Sequence, residues 1–493
     1  MSSSEEKNIE RWPRQIKFIV GNEACERFSY YGMRSILAGY ITGAVLKGGL
    51  GQDADTSTEI IHLFVFANYF MPLFGAWLSD KIIGRYHTIL WVSLFYCAGH
   101  GVLACSDLAG TVHGKLLLLY TGMALIAFGS GGIKPCVSAF VGDQFKPEQS
   151  HLLQKAYGAF YWAINLGSFF SFLVIPWIKD RHGYSLAFGV PGIFMAIATF
   201  IFWLGTKHYV RVPPSRETKS AGFFKVLWYA LSHRKKTGGG ALPRAEAGQQ
   251  AGPAGRPGSF WDGARDRFSE KEIDAAKSVL PILLVFALIP PFWSLFDQSN
   301  STWVLQGEKM VPTRILGLDI GAEQMQSMNP LIVMVLVPLF TLGIYPRIGR
   351  FASPLRRMSY GMFLAAGSYL VVAALQRQIE DGAQMSVLWQ TVPYLILTAA
   401  EVLVSTTGLE FAFREAAPEM KSIVMSFWLL TIAFGDLLVV AVTQLFSNAS
   451  DHAASVSTNR FLLYAGMTFG VAILFSLVAT FYKYRDAAAA AGK

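Results

Sequence analysis

Carboxylates and guanidiniums stand together inside a hydrophobic run: Glu23-Ala-Cys-Glu26-Arg27-Phe28-Ser29-Tyr30-Tyr31-Gly32-Met33-Arg34, within an otherwise apolar stretch from about Ile16 to Gly43. At about 100° per residue, Glu23, Glu26, Arg27, Tyr30 and Arg34 fall on one helical face. Charges at membrane depth are costly. They pair with one another, face a cavity and mark a path for a substrate or an ion. That face cannot look at lipid.

The surrounding chain must supply a membrane to be at depth in, and it does. Of 493 residues 53% are hydrophobic and only 15% charged, where a soluble protein carries about a quarter charged. Apolar runs near 20 residues, enough to cross a ~30 Å hydrocarbon core, recur at roughly 16–43, 58–80, 86–107, 114–141, 153–178, 186–205, 278–305, 324–346, 355–376, 386–412, 419–446 and 460–482. The expected fold is therefore an all-α membrane protein with twelve transmembrane helices in two six-helix halves. Lys and Arg concentrate in the termini and the even-to-odd loops, even with the long central loop left out, which places both termini in the cytoplasm. The net charge of +9 thus reflects topology and not nucleic-acid binding. No small-residue cleavage pattern follows the first apolar run, so no cleavable leader is expected. The four cysteines, Cys25, Cys97, Cys105 and Cys136, sit in or at the end of spans without metal-type spacing. They read as packing residues, and neither a metal nor a cofactor is expected.

The organisation reads as a cytoplasmic N-terminus (1–15), a six-helix bundle (16–205), a cytoplasmic linker (206–277), a second six-helix bundle (278–482) and a cytoplasmic C-terminus (483–493). The linker core, 237–259, is rich in Gly, Pro and Ala and reads as flexible; Phe223 to Leu231 suits either an interfacial or a frayed helix. Two six-helix halves joined by a long loop fit the major facilitator architecture, where a ligand binds near the midplane between halves. Gly75-Ala-Trp-Leu-Ser-Asp80-Lys81-Ile-Ile-Gly84-Arg85 resembles that superfamily's loop motif, with Ala76 at one glycine position. Since odd spans run outward and even spans inward, position along a span gives depth. Arg34, His62 and Asp297 reach a similar level near the outer side, on three different spans. Lys134, Glu401, Glu23, Glu26 and Arg27 belong to the middle and inner half. With His62 neutral, Glu23, Glu26, Asp297 and Glu401 against Arg27, Arg34 and Lys134 sum to −1 (three minus four). One proton would neutralise the set.

Five segments together resemble a known family, the proton-dependent oligopeptide transporters. Glu23-Ala-Cys-Glu26-Arg27-Phe28-Ser29-Tyr30-Tyr31-Gly32 is similar to its first-span signature and Phe160-Tyr161-Trp-Ala-Ile-Asn165-Leu-Gly-Ser168 to its fifth-span signature. Gly129-Ser-Gly-Gly-Ile-Lys134-Pro-Cys resembles the fourth-span lysine motif. Phe292-Trp293-Ser-Leu-Phe296-Asp297-Gln298 and Glu401-Val-Leu-Val-Ser-Thr-Thr-Gly-Leu-Glu410-Phe resemble those of spans seven and ten. The resemblance implies symport of di- and tripeptides with protons. By it, Arg27, Arg34 and Lys134 would receive the peptide carboxylate, which the planar fork of arginine suits. Glu401 would face the peptide ammonium, helped by Asn165 and Asn329. Tyr30, Tyr69 and Tyr161 would bond the peptide backbone, and Trp293 and Trp428 would line side-chain pockets. Glu23, Glu26, His62 and Asp297 would couple protons. Arg34 with Asp297, and Lys134 with Glu401, would form an outer and an inner gate. The chain departs from many bacterial members in lacking two extra spans in the central loop. The implied setting is a plasma membrane, the inner membrane if bacterial, and a monomer suffices mechanically.

Taken singly, each residue has a plainer reading. His62 suits a hydrated interface, Lys134 a side chain snorkelling past Pro135, and Asp297 a helix-end cap. Asn329 suits a bond to backbone freed by Pro330, and the tyrosines and tryptophans suit membrane packing. Glu410 and Asp436 read as structural. Asn300-Ser-Thr302 and Asn448-Ala-Ser450 match glycosylation acceptors, a pattern common by chance. Two rival functions remain at this stage. One is carriage of nitrate or another organic anion on the same fold, against which the complete Glu-x-x-Glu-Arg motif and Glu401 both speak. The other is a membrane enzyme, which would need a catalytic constellation the sequence lacks; no enzymatic activity is expected.

Overall fold

A computed structural model describes residues 12–214, 222–233, 260–349, 353–446 and 454–484. The linker core at 237–259, the Asn448 acceptor and most of the two terminal segments lie outside the described residues. The first half comprises α1 (Ile16–Ser35, prolonged by Leu37–Thr42), α2 (Ala54–Leu78), α3 (Arg85–Ala104), α4 (Val112–Asp143), α5 (Ser150–His182) and α6 (Tyr184–Leu204). The second comprises α7 (Glu270–Phe286, bent by 45° into Pro290–Asn300), α8 (Met328–Pro338), α9 (Pro354–Glu380), α10 (Thr391–Glu401), α11 (Lys421–Phe446) and α12 (Thr458–Phe481).

Ten helical stretches among the described residues are long and apolar enough to cross a membrane, and the bent α7 makes an eleventh. The twelfth expected span is α1. Its apolar run is interrupted by Lys17, Glu23, Glu26, Arg27 and Arg34. Large apolar side chains such as Trp91, Leu117, Phe200, Leu370 and Phe469 point outward and exposed. A belt of that kind is a lipid-facing surface, since water-soluble folds keep such patches small.

Side-chain caps fix where several helices begin. Asp53 accepts from the Thr56 amide ahead of α2, Thr111 caps α4, and Ser269 with Glu272 forms a capping box before α7. Three helices break into π-helical turns: Ser79–Ile83 after α2, Leu339–Ile344 after α8 and Val402–Thr406 after α10. The first two occupy matching places in the two halves. Each leads to a glycine at positive φ, Gly84 at 79° and Gly349 at 50°, as an internal repeat would have it.

Within the halves, α1 packs on α5 and α6, α4 on α2 and α3, and α9 on α10 and α12. Between the halves, α2 packs on α11 and α5 on α8. One end carries a small antiparallel hairpin, β1 (Thr313–Ile315) and β2 (Leu318–Ile320), absent from the all-α expectation. Its two-residue turn, Leu316 and Gly317, has φ of 51° and 86°, the both-positive geometry of a tight hairpin. This is called the hairpin end; the opposite one, where α1 begins and α12 finishes, is the termini end. There the short helix Phe223–Ser232 lays Phe223 against Phe427 of α11 and leaves Phe224, Trp228 and Leu231 exposed.

Candidate functional site

Close helix crossings set the position of the cavity wall. A Cβ on Gly75 of α2 would lie 2.1 Å from the Gly132 carbonyl oxygen of α4, so these helices meet backbone to backbone. Two residues past Gly132, that crossing brings Lys134 against α2. Its Nζ lies 4.1 Å from the centre of the Tyr69 ring and 5.0 Å from that of Tyr30, with no hydrogen-bond acceptor. Aromatic faces attract a desolvated cation, but they do not neutralise it. On the other half, a Cβ on Gly408 would come 1.9 Å from Cη2 of Trp428. Only glycine leaves that indole room to lie flat over the turn, where it packs beside Trp293 at 6.2 Å between ring centres.

Between the halves lies a cavity of about 290 Å³, near the lower end of the range for small-ligand sites. Its first-half wall includes Arg34, Tyr69, Tyr161 and Asn165; its second-half wall includes Trp293, Asp297, Asn329, Glu401 and Trp428. A cationic wall thus faces an anionic one. Asn329 donates from Nδ2 to Glu401 Oε2 at 2.7 Å and holds that carboxylate in place. Glu401 is the last residue of α10 before the π-helical turn, a kind of local widening that recurs at functional sites.

Among the described residues, three contacts between ionisable side chains cross from one half to the other toward the hairpin end. Arg34 Nη2 donates to Asp297 Oδ1 at 2.7 Å, with each side chain only 4% exposed. His62 Nδ1 lies 2.6 Å from Asp436 Oδ1 and its Nε2 2.9 Å from Ser301 Oγ; both ionisable side chains are fully buried. Lys179 Nζ donates to Glu323 Oε2 at 2.6 Å. Glu323 stands just ahead of α8, and burial raises its pKa to about 7 against the pull of the Lys179 ammonium. Toward the termini end, no such pair among the described residues closes the interface. Lys134 and Glu401 are not bonded to each other: the lysine sits among tyrosine rings and the carboxylate on Asn329. The structure is closed at the hairpin end, with the expected inner pair apart.

Behind the wall, Arg27 Nε donates to Glu23 Oε1 at 2.7 Å and lies 2.8 Å from Glu26 Oε2, whose two oxygens gain no hydrogen bond. The carboxylates of the Glu-x-x-Glu-Arg motif therefore hold the arginine between them. Of the expected peptide contacts, Arg27, Tyr30 and Lys134 stand behind the cavity wall, as do Glu23, Glu26 and His62, while Arg34, Tyr69, Tyr161, Asn165, Trp293, Asn329, Glu401 and Trp428 line it. The sequence reading missed Tyr31, Tyr394 and Gln326 on the wall and Lys179 and Glu323 across the interface; it singled out Asp436 as structural without naming its partner, His62. Tyr31 was reachable, since it follows Tyr30 in the same motif. Asp436 carries the one usable signal among the interface groups, a lone carboxylate in an apolar span. Among the described residues no three His, Cys, Asp or Glu side chains gather as they would around a metal ion.

Two six-helix halves with a charged cavity between them define a membrane protein of the major facilitator fold. Within that class the chain belongs to the POT family, whose profile matches residues 86–459. It is 36% identical to human solute carrier family 15 member 2 over 415 residues, covering 81% of this chain and 54% of the relative. Peptide transporter 3 of Caenorhabditis elegans is 34% identical over 386 residues, 76% of this chain and 52% of that one. The chain thus spans about half the length of the curated relatives it matches. The crystal structure of an auto-inhibited POT family peptide transporter superposes with a TM-score of 0.82 at 38% identity, covering 96% of this chain and 98% of that one. The structure of the POT family transporter PepTSo gives 0.82 at 37% identity, with 95% and 98% covered.

Proposed function

We propose that this protein is a proton-coupled symporter that imports di- and tripeptides by alternating access, as a monomer in the plasma membrane with both termini in the cytoplasm. The observation that carries the reading is the opposed charge of the cavity walls, Arg34 on one half and Glu401 on the other. A short peptide with free termini presents the complementary pair: its carboxylate meets the guanidinium and its ammonium meets Glu401. The tyrosines and the Trp293 and Trp428 faces read its backbone and side chains loosely. Relatives named as peptide transporters support the same substrate class.

In this reading the hairpin end faces outward. Arg34–Asp297, with His62 beside it, is the outer gate, and protonation of Asp297 loosens it. Lys134 and Glu401 approach each other when the termini end closes, with Glu23, Glu26 and Arg27 adjusting the lysine's surroundings. Peptide competes for both partners of that inner pair. This gives it the differential affinity for two states without which a ligand cannot shift them. Competition against labelled dialanine tests the two-ended clamp. N-acetyl-dialanine leaves the Glu401 carboxylate unpaired in a desolvated site, at a cost of about 3–5 kcal/mol, and is expected to compete far more weakly than dialanine. Equal competition by N-acetyl-dialanine would show that no carboxylate reads the amino terminus.

A further inference from the structure

Asp436 has no part in the mechanism above, yet it occupies the most enclosed polar contact in the molecule's interface. It lies within α11, surrounded by apolar residues in sequence, and is fully buried. Its Oδ1 is 2.6 Å from Nδ1 of His62 on α2, so the contact spans the two halves. Its Oδ2 has no hydrogen-bond partner. An ionised carboxylate with one oxygen unserved by any protein donor is costly to bury, and a proton removes most of that cost. The imidazole is able to share one. Its Nε2 faces the Ser301 hydroxyl, which either donates or accepts, so neither tautomer leaves an unmatched nitrogen.

The other charged groups that reach this pair come from three neighbouring elements: Asp297 beyond the bend of α7, Arg34 on α1 and Lys134 on α4. Arg34 is already bonded to Asp297, so among the described residues no permanently charged cation stands at bonding distance of Asp436; only the titratable His62 does. The balance of buried charge around the cavity changes accordingly. Glu23, Glu26, Asp297, Glu401 and Asp436 stand against Arg27, Arg34 and Lys134, five negative minus three positive, or −2 with His62 neutral. The Lys179–Glu323 and Arg357–Glu410 pairs cancel within themselves.

We propose that Asp436 carries a transported proton: the carboxylate and the His62 imidazole share it across the two halves, so that a zwitterionic dipeptide travels with two protons. The inference rests on the reading of the protein as a proton-coupled peptide carrier. The proton enters from the outer solution while the hairpin end is open and α2 and α11 stand apart. It binds the pair as either imidazolium with carboxylate or imidazole with carboxylic acid, the same net charge of zero. Closure of the interface then buries a neutral pair. The proton leaves into the cavity, on which Arg34 and Asp297 border, after the peptide has gone to the other side.

Two measurements test this, and the first does not depend on the substrate. Infrared difference spectra of the full chain in lipid nanodiscs, taken across a pH step, are expected to show a carboxylic-acid C=O band. That band is lost in Asp436→Asn, kept at altered frequency in Asp436→Glu and shifted in His62→Gln. A spectrum unchanged by Asp436→Asn overturns the proposal whatever the protein carries. The second is the coupling ratio, from the pH difference that balances a fixed dialanine gradient in proteoliposomes. Wild type is expected to take two protons per dialanine, Asp436→Asn one, and Asp436→Glu two. An unchanged ratio in Asp436→Asn overturns the coupling role. Failure of wild type to carry dialanine would refute the peptide reading itself, while the infrared result still decides whether the pair holds a proton.

Discussion

Replacing Asp297 with asparagine is expected to open the hairpin end. The change keeps the shape of the side chain and removes its charge. What remains is the Arg34 guanidinium, 4% exposed, without its carboxylate partner 2.7 Å away and with Nε already unpartnered. Removing one partner of a buried ion pair costs about 3–5 kcal/mol. At 1.4 kcal/mol per factor of ten, the open-to-closed ratio rises by roughly 10² to 4 × 10³. The His62–Asp436 and Lys179–Glu323 contacts persist, so the shift is partial where those two dominate. Spin labels at Leu46 and Leu316 report the motion, because both side chains are fully exposed at the hairpin end, one on each half. The exposed Cys105 is first replaced by serine. Electron–electron distance distributions are expected to gain a longer component in Asp297→Asn. The Arg34→Gln/Asp297→Asn pair, which leaves no orphan charge, is expected to shift less than the Asp297→Asn single variant. Identical distributions for wild type and a well-folded Asp297→Asn protein would refute the gate.

The remaining expectations concern the proton, the inner pair and the aromatic wall. His62→Gln is expected to abolish gradient-driven uptake while peptide binding stays measurable; proton-driven accumulation at the wild-type level would defeat the assignment. Lys134→Ala is expected to abolish both driven uptake and counterflow, since its ammonium is the cation that meets Glu401 when the termini end closes. Normal transport by Lys134→Ala and by Glu401→Ala would mean that no such pair forms. Gly408→Ala forces the Trp428 indole aside, because the new Cβ would lie 1.9 Å from its ring. Overpacking of this kind costs about 1–3 kcal/mol, so dialanine affinity is expected to fall roughly 5- to 150-fold in an intrinsic tryptophan fluorescence titration.

The sequence carried the membrane fold and much of the cavity because both depend on local patterns. Apolar runs mark spans, and the charged face of α1 marks the one that cannot face lipid. Depth along spans was enough to set Arg34, His62 and Asp297 at one level, and the structure joins two of them directly. It gives His62 a different partner, Asp436, because which face of α11 meets α2 is decided by helix packing between halves. No spacing rule reports that. Lys179 and Glu323 sit at the ends of α5 and α8, where charges in sequence read as solvated, and only their meeting across the interface buries them. The bend in α7 was foreshadowed by Pro290 and Pro291, whereas the π-helical turn after Glu401 follows no such residue. The Lys134–Glu401 pair illustrates a further limit. The two are not bonded in the structure, where the lysine lies among tyrosine rings and the carboxylate on Asn329; a pair formed in only one state of the proposed cycle has no single geometry for a sequence to specify.

Uptake of radiolabelled dialanine into liposomes containing the purified chain, with and without an inward proton gradient, tests the central claim most directly. Accumulation above the external concentration is predicted when the gradient is present, collapse to simple equilibration when a protonophore removes it, and competition by unlabelled tripeptide but not by nitrate. Uptake that is indifferent to the gradient, or blocked as well by nitrate as by peptide, would contradict a proton-coupled peptide carrier.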